Sequence, residues 1–204
     1  MTIVIDRISK SFDGKVVFQE YSAQIEAHRI TCILGPSGCG KTTLLNLLMG
    51  LMQPDSGTLS GVPVKKSAVF QEERLCESFS AVANVRLVCS RSVSAQTVEE
   101  HLLRIGLQGS LHVPVRELSG GMRRRVAIVR AILAESDILL MDEPFKGLDA
   151  ETKLSVMQYV QEHTKGKTVV MVTHDPEEVE LLNSDRIYLE MDRQPACLAS
   201  CLEK

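Results

Sequence analysis

Three glycines, a lysine and two threonines crowd into Gly35-Pro36-Ser37-Gly38-Cys39-Gly40-Lys41-Thr42-Thr43, directly after the apolar run "ITCIL". Gly35, Gly40, Lys41 and Thr42 fit G-x-x-x-x-G-K-T/S, the pattern of a phosphate-binding loop. A loop with little side-chain bulk can curl so that successive backbone N–H groups point at one anion. A helix beginning at its end adds partial positive charge. In such a loop Lys41 reaches the β- and γ-phosphates and the Thr42 hydroxyl ligates Mg2+. A bare strand-to-helix turn would explain the glycines, but not the lysine and threonine at this spacing. Cys39 reads as a small filler, although a thiol beside a lysine and a helix N-terminus is also placed for acidification.

Two adjacent carboxylates, Asp142 and Glu143, end the apolar run "ILLM". In open α/β sheets ligands sit outside the carboxyl ends of strands, so this strand end is expected to face the phosphates. Side chains alternate along a strand, so the two carboxylates need not share a task. Asp142 suits Mg2+, and Glu143 suits polarisation of an attacking water. A second glycine pair opens a helix in "LSGGMRRR", with Ser119 placed as N-cap before Gly120 and Gly121. Three arginines in a first helical turn oppose the macrodipole unless an anion compensates them, and that anion could be a second phosphate. The alternative is a capped helix with a solvated basic edge.

The elements that position these residues follow from periodicity. "TIVIDRISKSF" reads as a strand, "DGKV" as its turn, and "VVFQEYSAQIEAHRITCIL" as further strands. "KTTLLNLLMG" reads as a helix closed by Gly50, "MQPDSGTLSG" as a loop, and "SAVFQ" as a short strand ending at Gln71. From about 72 to 133 the pattern is helical; after it strands and helices alternate, with "ILLM" and "VVMV" suiting parallel strands buried on both faces. The fold class is α/β: a phosphate-loop core over 1–71 and 134–204 with a mainly parallel sheet, an N-terminal antiparallel sub-domain, and a helical insertion over 72–133, all in one domain spanning 1–204.

With 204 residues, 44% hydrophobic and 24% charged, the chain suits one globular unit. A net charge of −3 gives no reason to expect nucleic-acid binding. No apolar stretch nears the roughly 18 residues that span a bilayer, so a cytoplasmic protein is expected, reaching a membrane only through a partner. The six cysteines include no C-x-x-C pair; Cys197 and Cys201 could share a helical face but make a poor metal site alone.

Taken in order, the loop Gly35–Thr43, Gln71, "LSGGM", "ILLMDEP", Asp149 in "GLDA" and His174 in "VTHD" resemble the nucleotide-binding subunit of an ABC transporter. The resemblance runs over nearly the whole chain. It implies ATP and Mg2+ as cofactors and a head-to-tail dimer, of identical or paralogous chains, with two ATP molecules at the interface. It implies that the 35–43 loop of one protomer holds the triphosphate while Ser119, Gly120 and Gly121 of the other cap its γ-phosphate. Glu143 matches the catalytic carboxylate, His174 the γ-phosphate switch, and Gln71 the residue that touches Mg2+ and links the helical insertion to the core. Phe12 sits where the family stacks an aromatic on adenine. The implied partners are a transmembrane permease, docking on about 72–88, and, indirectly, an extracytoplasmic solute-binding protein; the place is the inner face of the cell membrane. "MDEPFKGLDA" is most similar to bacterial importer subunits of the nitrate, sulfonate and taurine type. Met122 stands where the family more often has Gln, and Lys146 occupies a variable place. A soluble ABC ATPase of Fe–S cluster assembly is the alternative from another class; a nucleotide-binding module without turnover fits poorly with Glu143 and His174 both present.

Overall fold

A computed structural model describes residues 2–190; Cys197 and Cys201 lie outside them. β1 (Ile3–Phe12) and β2 (Lys15–Ile25) pair antiparallel about the Asp13–Gly14 turn. β3 (Ile30–Leu34) runs into the glycine loop and α1 (Lys41–Met49) leaves it. Gly50 then closes α1 in the left-handed conformation a side chain would resist. The loop expected over "MQPDSGTLSG" is partly strand: β4 (Ser56–Ser60) pairs antiparallel with β1, placing Leu59 opposite Ile5. Its residues have loop chemistry, but on an edge the backbone ladder alone suffices to hold them.

β5 (Lys66–Val69) stops two residues short of Gln71. Three helices follow as expected: α2 (Ala81–Arg86), α3 (Ala95–Arg104) and α4 (Gly120–Leu133). The chain then alternates through β6 (Ile138–Asp142), α5 (Ala150–His163), β7 (Thr168–Val172), α6 (Pro176–Leu181) and β8 (Asp185–Tyr188). The first sheet has the order β2-β1-β4 and the second, all parallel, β5-β6-β7-β3-β8. Every residue of β6 and β7 is buried, as a parallel sheet covered on both faces requires.

The parallel sheet divides the core by the parity of its residues. Ile138 and Leu140 pack with Leu44, Leu45, Leu47 and Leu48 of α1 and with β1. Leu139 and Met141 pack on the opposite face with Val126 and Val129 of α4 and Val156 and Val160 of α5. Each buried leucine of α1 contributes roughly 1.5–3 kcal/mol, which anchors the helix that carries Lys41 and Thr42. Register fixes the rest. Ile33 and Asp142 both pair with Val172, so the ends of β3 and β6 stand level, two strand widths or roughly 10 Å apart.

Candidate functional site

The loop between β3 and α1 is shaped by glycines that cannot be exchanged. Gly35 has φ +147°, and a Cβ there would lie 2.3 Å from the Leu189 carbonyl oxygen. At Gly40, with φ +104°, a Cβ would stand 2.6 Å from Val17 Cγ1. Cys39 is 7% exposed and packs with the α1 leucines, so it fills the loop as expected. Pro36, Ser37 and Gly38 form the exposed lip, and Thr43 follows Thr42 in the first turn of α1. Lys41 Nζ donates to the carbonyls of Gly35 and Pro36 at 2.7 and 2.8 Å, which puts the ammonium inside the loop's curl. The Cys39 sulfur lies 3.9 Å away, and no carboxylate pairs with the ammonium among the described residues, so its charge is kept for an anion.

Strand alternation separates the two carboxylates. Asp142 shares the parity of Ile138 and Leu140 and faces α1, where Thr42 Oγ1 donates to its Oδ2 at 2.8 Å. Burial pushes the Asp142 carboxyl above its ordinary value, and the Thr42 hydrogen bond opposes that in part. A hydroxyl and a carboxylate in contact are the oxygen donors that Mg2+ takes, with phosphates and water completing its shell. Among the described residues no group of three or more His, Cys, Asp or Glu could hold a metal by itself. The donor set therefore fits a cation that arrives with a phosphate ligand.

Glu143 turns the other way, with φ +46°, and its N–H donates to the Val172 carbonyl at 3.0 Å. Its Oε1 lies 3.2 Å from His174 Nδ1, just past the end of β7, and its Oε2 accepts from Lys146 Nζ at 2.6 Å. Burial alone would raise the Glu143 carboxyl; the hydrogen bond and charge of Lys146, with a smaller pull from His174, outweigh it and leave the group below its ordinary value. These residues bound a cleft of about 210 Å3 that continues to Lys153, Asp175 and Glu178. Lys153 pairs with Asp175 and, at 2.6 Å, with Glu178, while Thr173 Oγ1 donates to Glu178 at 2.6 Å. That network pins the turn bearing His174. Neither it nor the Lys146 contact was visible in motif spacing, since Lys146 occupies a variable place in "MDEPFKGLDA".

The remaining candidates lie around this centre. Phe12 ends β1, 42% exposed and with Lys10 Nζ 5.4 Å from its ring centroid, open to stacking by a base. Asp149 caps α5, its Oδ1 accepting from the Thr152 N–H at 3.0 Å, and that bond holds its carboxyl below the usual range. Ser119 caps α4 as expected, accepting from the Met122 N–H at 3.2 Å, with Gly120 exposed and Gly121 half-buried beside it. No described hydrogen bond joins Ser119, Gly120 or Gly121 to the 35–43 loop. All three arginines find acceptors within the chain. Arg123 donates to the Leu118 carbonyl at 2.9 Å, Arg124 to those of Phe70 and Gln71, and Arg125 to Ile105 at 2.7 Å and Gly106 at 2.9 Å. Backbone carbonyls, with the Glu73 carboxylate 3.8 Å from Arg124, thus hold the arginines that the helix dipole disfavours. Gln71 itself is exposed just after β5.

Residues 18–146 match the ABC transporter family. The chain belongs to the ABC transporter family. The taurine import ATP-binding protein TauB of Yersinia pestis is 39% identical over 192 residues, covering 87% of this chain and 75% of the relative. The aliphatic sulfonates import ATP-binding protein SsuB 1 of Streptomyces avermitilis is 38% identical over 190 residues, covering 92% and 72%. Among solved structures, a dimeric bacterial ABC transporter cassette superposes with TM-score 0.80 at 27% identity, covering 93% of this chain and 94% of the other. The same cassette in a post-hydrolysis state bound to ADP and Pi gives TM-score 0.79. The fold is that of an ABC ATPase, and this ABC family member is an ATP-binding, ATP-hydrolysing subunit of a transporter. Importer subunits among its relatives favour the transport reading over Fe–S cluster assembly.

Proposed function

We propose that this subunit binds Mg-ATP on the 35–43 loop, hydrolyses it within a closed dimer, and so drives import of a small sulfonate through a separate membrane permease. The observation that carries the catalytic part is the pairing across the strand ends, Thr42 with Asp142 and Glu143 with His174. Lys41 and the loop N–H groups bind the phosphates, Thr42 and Asp142 hold Mg2+, and Phe12 stacks on adenine. When bound there, Mg2+ would supply charge neutralisation to the phosphates. Glu143, ionised and oriented by Lys146 and His174, accepts the proton of the attacking water, and Gln71 would contact the metal. Ser119, Gly120 and Gly121, exposed or half-buried at the start of α4, are left to a second protomer's ATP, and Asp149 lies at the same interface.

Among the described residues no helix is long and apolar enough to cross a membrane, so in this reading the subunit sits on the inner face through its permease. The docking surface is the segment after Gln71. There Phe79, Leu87 and Val88 are 44%, 57% and 41% exposed, while Ala81, Val82 and Val85 face inward. Asn84, fully buried, holds that turn through Cys76, Phe79 and Ser80. The sulfonate class rests on the relatives named for taurine and aliphatic sulfonates. It is tested by reconstituting the subunit with a permease and solute-binding protein of the taurine or sulfonate importer type. Taurine or an alkanesulfonate should then stimulate ATP hydrolysis, whereas no stimulation, or equal stimulation by unrelated solutes, rejects the class.

A further inference from the structure

Residues 71–75 leave β5 with no regular structure, and among the described residues no backbone–backbone hydrogen bond reaches any of them. Their carbonyls are held instead by two arginines of α4. Arg124 donates to Phe70 O at 2.5 Å and to Gln71 O, and lies 3.8 Å from the Glu73 carboxylate. Arg130 donates to Glu73 O at 2.9 Å and to Arg74 O at 2.8 Å. Six residues of helix rise about 9 Å, and three residues of extended chain span about 10 Å, so the segment runs alongside α4 in matched steps. Arg124 is 6% exposed and its Nε has no partner. Burying an arginine on these terms adds little net stability. What it does provide is a two-pronged grip on the backbone at Gln71, where among the described residues no backbone–backbone hydrogen bond fixes the chain.

We propose that Arg124 is a positioning residue for ATP hydrolysis, fixing the Gln71 backbone to the helix that begins at Ser119, Gly120 and Gly121. Gln71 then follows α4, and Arg130 extends the same grip toward the docking segment. The proposal rests on the reading that Gln71 contacts the metal, and a mutant cycle on the full-length chain separates the two. Gln71→Ala and Arg124→Gln should each lower kcat severalfold with KM for Mg-ATP nearly unchanged. The double variant should be no worse than Gln71→Ala alone, within about twofold, because a grip on an absent side chain has nothing left to position. Multiplying losses in the double variant would overturn the proposal while leaving Gln71 its role. A Gln71→Ala protein with wild-type kcat would overturn the Gln71 reading and the proposal with it. Thermal melts check that each variant folds. If Arg124→Gln does not fold, Arg130→Gln, at the half-exposed end of the grip, replaces it in the same cycle with the same criteria.

Discussion

Thr42 Oγ1 and Asp142 Oδ2 stand 2.8 Å apart across 100 residues of chain, joining the first turn of α1 to the end of β6. The contact exists because β3 and β6 end level in the sheet and because Asp142 has the parity that faces α1. Glu143, one residue on, takes the opposite side and meets His174. In the proposed reading one strand end thus serves two chemical tasks, metal binding and activation of water, without the two carboxylates competing for one position.

Glu143→Gln should bind ATP yet hydrolyse it at least about a hundredfold more slowly, since a positioned general base contributes roughly 10²–10⁴. With turnover blocked, ATP and Mg2+ should hold a closed dimer visible by gel filtration. Wild-type hydrolysis by this variant would remove Glu143 from its role.

Lys41→Ala and Gly40→Ala should both weaken nucleotide binding, for different reasons. The first removes a charged donor to phosphate, worth about 2 kcal/mol or roughly thirtyfold in affinity, and leaves the fold intact. The second forces a Cβ to 2.6 Å from Val17 Cγ1 and 2.9 Å from Phe18 Cζ at positive φ, and should also lower Tm by about 4–8 °C. Titration with a fluorescent ATP analogue beside a thermal melt separates them. Equal melting temperatures would mean that the Gly40 backbone carries no constraint.

A cysteine at Ser78, in a background lacking the exposed Cys76, should cross-link to a cytoplasmic loop of the permease. Ala81, which also lies on the docking segment, is fully buried and a cysteine there should not react. Cross-linking at Leu87 but not at Ser78 would move the docking surface to the end of α2, and failure at both would place it elsewhere.

His101 couples stability to pH. Its Nδ1 lies 2.8 Å from the Tyr159 hydroxyl, tying α3 to α5, and the His163 ring is 4.9 Å away. Burial, with the His163 and Arg104 charges, holds its pKa below the ordinary value, against weaker opposing pulls from Glu100 and Glu162. The unfolded chain therefore takes up this proton first, near pH 6.5, and the folded chain only below it. Stability supplied by the neutral ring is present above pH 6.5 and is lost as pH falls toward the folded value. Urea midpoints at pH 7.5 and 5.5 should show a larger acid loss for the wild type than for His101→Gln. Equal losses would mean that His101 titrates as a free imidazole.

The amino-acid sequence alone determined whatever is local. The passage of "ITCIL" through three glycines into "KTTLLNLLM" is written in residue size and periodicity, and the Ser119 cap in one hydroxyl before a helix. The separation of Asp142 from Glu143 follows from the period of a strand. Tertiary structure decided which partners those residues meet. "SGTLS" has the composition of a loop and became β4 because β1 offered an unpaired edge. The arginines after the glycine pair pointed toward an anion by the helix dipole alone. Carbonyls at 70, 71, 105, 106 and 118, four of them distant in sequence, were the acceptors they found. Ala81 and Phe79 look alike as apolar residues of one segment, yet packing against α4 buries the first and leaves the second exposed. Periodicity and capping act over one or two turns of chain. Hydrogen-bond partners and burial depend on what the rest of the fold brings within 3 Å.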